Sequence, residues 1–187
     1  LMRPDLRDAL LNKLDATGED GFEGLLAELL GTLTTQRFVL YASGWQAGKD
    51  ALAASPRWGV MALQAKRYQD APNATALLGD FTAAILDATD LDIWVVGCVA
   101  PLPSQTKEKL QQASARSDVS VVILDDLALE ALIYADTDIA DRRLGLQIST
   151  TDLPVSRPAE HQGLLQTTLE ELQQLPLLSR LAEATND

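Results

Sequence analysis

The chain has 187 residues, 47% of them apolar and 22% charged. That is enough for one domain with a tail, or two small ones, around a core that needs neither disulfides nor structural metal. Fifteen basic residues against 27 acidic ones give a formal charge of −12, which argues against a protein that coats nucleic acid or anionic membrane through bulk charge but leaves room for a local basic patch. A single cysteine, Cys98, and a single histidine, His161, exclude a disulfide framework and a zinc site built on Cys or His. The expected setting is a reducing cytoplasm. No apolar run approaches the ~20 residues needed to span a bilayer, and Leu1-Met2-Arg3-Pro4-Asp5 lacks the basic-then-apolar layout of a signal peptide, so no membrane partner is expected. Cys98 sits in the apolar run Ile93 to Val99 and reads as a small buried residue rather than a nucleophile.

In chain order, Leu6, Leu10, Leu11 and Leu14 form a helical stripe within Arg3 to Thr17, and Gly18 ends it. Glu19-Asp20 open a second helix at its positive end, whose wide apolar face runs from Phe22 to Leu33. Gln36 to Ala42 is β-branched and aromatic and predicts a strand, followed by the glycine-punctuated turn Ser43 to Gly48. Lys49 to Ala53 and Trp58 to Lys66 predict two more strands around Ser55-Pro56-Arg57. Ala74 to Ala88 returns to helical spacing, and Leu91 to Val99 has the continuous apolarity of a strand buried on both faces. A polar helix over Gln105 to Ser117, a strand over Val119 to Leu124 and a helix over Asp125 to Ala135 complete a parallel crossover. The fold class is α/β: a three-layer α/β/α sandwich with a mixed central sheet. Residues 1–136 are expected to form the domain. Residues 137–158 read as a linker, and Glu160 to Ala184 as a helical tail interrupted at Pro176, leading toward a further domain.

Four residues stand out by where this outline places them. On a helical wheel Glu23 falls within about 20° of Leu30, at the margin of the apolar face, from where a carboxylate reaches the end of the sheet without being buried in the core. Glu28 projects to the opposite, solvent side and is the weaker candidate. Alternation in the third strand puts Gln64 and Lys66 on one face with Ala65 between them. Pairing with the strand that Asp50 opens brings an acid, an amide and an amine together.

The order helix-Glu, then Gly48-Lys49-Asp50, then Gln64-Ala65-Lys66-Arg67-Tyr68 resembles the PD-(D/E)xK restriction-endonuclease-like superfamily. It is most similar to the Mrr-like branch, in which Gln replaces the acid of the last motif. Such domains occur as N-terminal effectors of bacterial anti-phage defence proteins. Phe22-Glu23 with the following leucine pairs, Val95-Val96-Gly97, and Val121 to Leu127 extend the resemblance over residues 18–135. It implies a restriction-endonuclease-like core and a metal-dependent DNA endonuclease with catalytic residues Glu23, Asp50, Gln64 and Lys66. Carboxylates at Glu23 and Asp50 suit Mg²⁺, a hard cation with oxygen ligands, with Mn²⁺ as a substitute. Gln64 offers an amide oxygen, and the family pattern adds the backbone carbonyl of Ala65. Lys66 orients the attacking water or stabilises developing charge. Lys49 and Arg67 are the expected nucleic-acid contacts, on double-stranded DNA.

The charge distribution bears on this reading. Residues 35–70 carry five basic side chains against Asp50 and Asp70, a net of +3 in a chain of −12. A phosphate backbone is drawn to such a stretch, while acidity elsewhere keeps general affinity low, so a homo-oligomer or an attached sensor domain is the expected means of engaging DNA. The competing reading is a catalytically silent module that keeps the fold for assembly or DNA binding.

Overall fold

The computed structural model describes residues 1–41 and 47–148. Its centre is a five-stranded sheet in the order β1 (Val39–Leu40), β2 (Ala51–Ser55), β3 (Gly59–Lys66), β4 (Leu91–Cys98), β5 (Ser120–Leu124). The β1–β2 and β2–β3 pairs are antiparallel, and β3–β4 and β4–β5 are parallel. A short hairpin can join only antiparallel neighbours, whereas parallel ones need a crossover. Accordingly Pro56 to Trp58 suffice between β2 and β3, with Gly59 at φ +71° closing the turn. The helices α3 (Ala74–Asp87) and α4 (Ser104–Ser117) fill the two crossovers.

Alternation along the strands sorts the helices into layers. Met61, Leu63, Ile93 and Val95 face a core shared with α1 (Pro4–Asn12), α2 (Phe22–Thr34), α5 (Asp126–Ala135) and α6 (Thr137–Leu144). Their neighbours Ala62, Trp94, Val96 and Cys98 face Leu77, Phe81 and Ala84 of α3 and Leu110 of α4. The result is the expected three-layer sandwich with a mixed sheet. Gly97 lies where α2 presses onto the sheet: a Cβ there would meet the Leu26 methyl groups.

The strand expected over Gln36 to Ala42 contracts to Val39–Leu40 in the described residues. Thr35 ends α2 in the left-handed conformation at φ 54°, and the chain reaches the sheet edge only after Phe38 is buried. The first helix ends at Asn12, a turn before the predicted Thr17. The larger difference lies beyond residue 136. Thr137–Leu144, read as the start of a linker, is a helix capped by the Asp136 carboxylate on Ile139 N–H at 3.2 Å. Ile139, Ala140 and Leu144 are buried in the core shared with α1, α2 and α5. Three apolar residues among eight make a stripe too narrow to stand out in a polar sequence. The tail over Glu160 to Ala184, and His161 with it, lies outside the described residues. No helix among the described residues is long and apolar enough to cross a membrane.

Candidate active site

The carboxyl ends of the parallel strands β3, β4 and β5 form one edge of the sheet, and β2 begins there. Ala51 pairs with Leu63, and Asp50 N–H donates to Leu63 O at 2.7 Å. This register continues the ladder and sets Asp50 opposite Gln64, on the face that packs against α3. Gln64 Nε2 donates to Asp50 Oδ2 at 2.7 Å, and Ala65 N–H donates to the same oxygen at 2.6 Å. Both residues are buried. The acid and the amide therefore meet as the alternation predicted, through the Gln64 amide N–H.

The loop that delivers Asp50 is gripped from two sides. Trp94 Nε1 donates to Gly48 O at 3.0 Å, and Gly48 adopts φ +73°. A Cβ on Gly48 would collide with the backbone carbonyl of Asp80, so α3 lies directly against this loop. Phe81 packs against Trp94 with ring centroids 5.3 Å apart and planes inclined at 53°, which ties α3 to β4 at the same place.

Lys66 ends β3 on the same face as Gln64 but turns to α3: its Nζ lies 2.6 Å from Asp80 Oδ2. Asp80 did not emerge from the sequence reading. The signal was present, because Asp80 falls three residues after Leu77 and four before Ala84, on the buried stripe of α3. A carboxylate on an apolar stripe is the pattern that would have found it.

Glu23 approaches from the other side of the sheet, at the start of α2. It is only 4% exposed, not marginal as the wheel predicted, because α2 is buried almost all round from Phe22 to Leu30. Its Oε2 accepts the Gly18 N–H at 2.9 Å across the preceding loop. Glu28 is on the outer side, as expected, where it pairs with Arg142 and Arg143. Burial pushes the Asp50 carboxyl up to about 6. The Ala65 N–H opposes that rise, Glu23 adds to it, Lys66 opposes it and Asp80 adds to it, so these five groups share one electrostatic environment.

The two expected nucleic-acid contacts are engaged internally. Lys49 is 3% exposed, its ammonium paired with Asp87 and stacked 5.5 Å from the Tyr41 ring centroid. Arg67 Nη1 donates to Leu11 O, pinning the end of α1 to the sheet edge. Alternation predicts a face, but not whether a neighbouring element covers it. Cys98 is fully buried, its thiol pushed up to about 12 by burial, in keeping with a packing role.

The donor atoms of the expected metal set are all oxygens: the Asp50 and Glu23 carboxylates, the Gln64 amide carbonyl and the Ala65 backbone carbonyl. Among the described residues no three His, Cys, Asp or Glu side chains cluster to hold a metal ion. The expected donor set contains two carboxylates and draws its remaining oxygens from an amide and a carbonyl. A buried carboxylate whose ionisation is opposed by burial and by two neighbouring acids is chemically suited to a hard divalent cation. No protein-family model matches the chain, and no curated protein is significantly similar to it.

Proposed function

We propose that this chain is a Mg²⁺-dependent DNA endonuclease domain of the restriction-endonuclease-like type, Mrr-like in its Gln-x-Lys motif. The observation that carries the reading is the convergence of Asp50, Gln64 and Lys66 on one face of the sheet edge, within the field of Glu23. Glu23, Asp50, Gln64 Oε1 and the Ala65 carbonyl are the residues that would hold Mg²⁺, or Mn²⁺ in its place. The ion supplies charge neutralisation at the phosphoryl oxygens. Asp50 and Glu23 set the negative field that binds the cation, and Gln64 orients the Asp50 carboxylate. Lys66 brings an ammonium, its side chain 15% exposed, to orient the attacking water and offset charge that builds on the phosphate.

With the chain at −12 and both Lys49 and Arg67 engaged internally, productive contact with double-stranded DNA is assigned to assembly or to a sensor in the same polypeptide. The biological setting proposed is a cytoplasmic effector of bacterial anti-phage defence. Incubation of supercoiled plasmid with the protein and Mg²⁺ tests the activity. Wild type is expected to nick or linearise the plasmid, and Asp50→Ala and Lys66→Ala to lose at least about a hundredfold in rate. Equal cutting by the variants would sink the site assignment.

The internal pairing of Lys49 and Arg67 favours a second reading, a silent module that keeps the fold for assembly. Thermal melts separate the two. A Mg²⁺- or Mn²⁺-dependent shift that disappears in Asp50→Ala and Glu23→Ala supports the nuclease; no shift in wild type supports the silent module.

A further inference from the structure

We infer that Asp80 is a positioning residue for Lys66, supplying from α3 the carboxylate partner that the strand itself lacks at Gln64. The inference rests on the nuclease reading above. Lys66 lies two residues beyond Gln64 on the same face, and the side chain at 64 is a neutral amide turned toward Asp50. Asp50 Oδ2 is already shared by Gln64 and Ala65. Among the described residues, the carboxylate that reaches the Lys66 ammonium is that of Asp80, at 2.6 Å.

The placement of Asp80 is built into the fold. Its neighbour Phe81 is locked against Trp94, and Trp94 also holds the Gly48 carbonyl. Gly48 in turn leaves the space that the Asp80 backbone occupies. One junction therefore fixes the loop entering Asp50, the strand end at Lys66 and the turn of α3 that carries Asp80. A solvated surface pair would need none of this, and its long side chains would be free to part. Here the Lys66 side chain is 15% exposed and that of Asp80 29%. A flexible four-carbon amine gains its direction from such a partner.

The test compares wild type, Asp80→Asn, Asp80→Glu and Gln64→Glu/Asp80→Asn in plasmid cleavage with Mg²⁺. A second measurement reads the contact without activity: ¹³C-methylated lysine signals, with that of Lys66 identified by its loss in Lys66→Arg. Asp80→Asn is expected to lower kcat about tenfold or more at unchanged KM and to displace the Lys66 signal. Asp80→Glu should return kcat to within about threefold of wild type, and the double variant should recover part of the loss. Equal kcat in Asp80→Asn, or an unmoved Lys66 signal, overturns the inference while leaving the nuclease reading intact. An equal loss in Asp80→Asn and Asp80→Glu, tracking lowered thermal stability, marks a packing role and also overturns it. A wild type that leaves plasmid uncut and shows no Mg²⁺- or Mn²⁺-dependent thermal shift overturns the nuclease reading, and the positioning role with it.

Discussion

Among the described residues, the buried carboxylates of α5 and those of the sheet edge are used in opposite ways. On α5, Asp126 and Glu130 are 3% and 0% exposed, and they receive the backbone N–H groups of Met2 at 3.2 Å and Arg3 at 3.0 Å. Arg3 also donates to the Tyr134 hydroxyl at 2.7 Å. These acids fasten the start of the chain to α5, with backbone amides supplying the donors that a buried carboxylate requires. At the sheet edge, Asp50 is as deeply buried but shares one oxygen between an amide and a backbone N–H, with Glu23 and Asp80 adding negative field. The nearby ammonium is turned to Asp80. Burial is the same in both places. What differs is how the charge is answered: backbone amides from the start of the chain on α5, and a single shared oxygen among further acids at the sheet edge, where the proposed cation would supply the rest.

The largest test of this contrast is catalytic. Asp50→Ala should cost at least about a hundredfold in plasmid cleavage, whereas Glu130→Ala should leave the rate per folded molecule unchanged. Gly48→Ala comes next. Its φ of +73° and the facing Asp80 carbonyl leave no room for a methyl group, so a loss of about 2–4 kcal/mol is expected in denaturant melts. Cleavage should fall as well, since the loop carrying Asp50 and the turn carrying Asp80 must separate. Removing the α5 acceptor by Glu130→Ala should cost about 1–3 kcal/mol, because its oxygen receives a backbone donor in the interior.

The smallest effect has the opposite sign. The Asp50 carboxyl, pushed up to about 6, binds its proton more tightly in the folded than in the unfolded chain. The folded state is therefore favoured at low pH, and its stability falls as pH rises through the window from about 4 to about 6. Asp50→Asn removes that dependence. Linkage caps its gain above the window at about 3 kcal/mol, and the lost carboxylate oxygen takes part of this back, leaving about 1–2 kcal/mol. Thermal melts should show the variant more stable than wild type at pH 7.5 and less stable below pH ~4, where only the cost of the lost oxygen remains. Mg²⁺ at pH 7.5 should narrow the gap by stabilising wild type alone.

Much of this was legible in the chain because strand chemistry has a period of two. The sequence Met61-Ala62-Leu63-Gln64-Ala65-Lys66 assigns every residue of β3 to a face, and the contraction of β1 or the shortening of α1 changes none of those assignments. Asp50 opposite Gln64 followed from the same logic. The helix α6 was hidden because its packing stripe is three residues wide. Glu23 was misjudged in depth because a helical wheel gives direction around an axis, not how many neighbours close over it.

By itself, then, the sequence determined the layers, the order of the elements through α5 and the strand face that carries Asp50, Gln64 and Lys66. Only the tertiary structure decided the partner of each charge. It paired Lys66 with Asp80, Lys49 with Asp87 and Arg67 with the Leu11 carbonyl. Periodicity is a local property set by the backbone and survives any arrangement of the neighbours. The pairing of charges depends on which elements approach at a given point. Here that approach was set by a glycine without a side chain at position 48 and by two indole rings, Trp58 bonded to the end of α2 and Trp94 to the loop at Gly48.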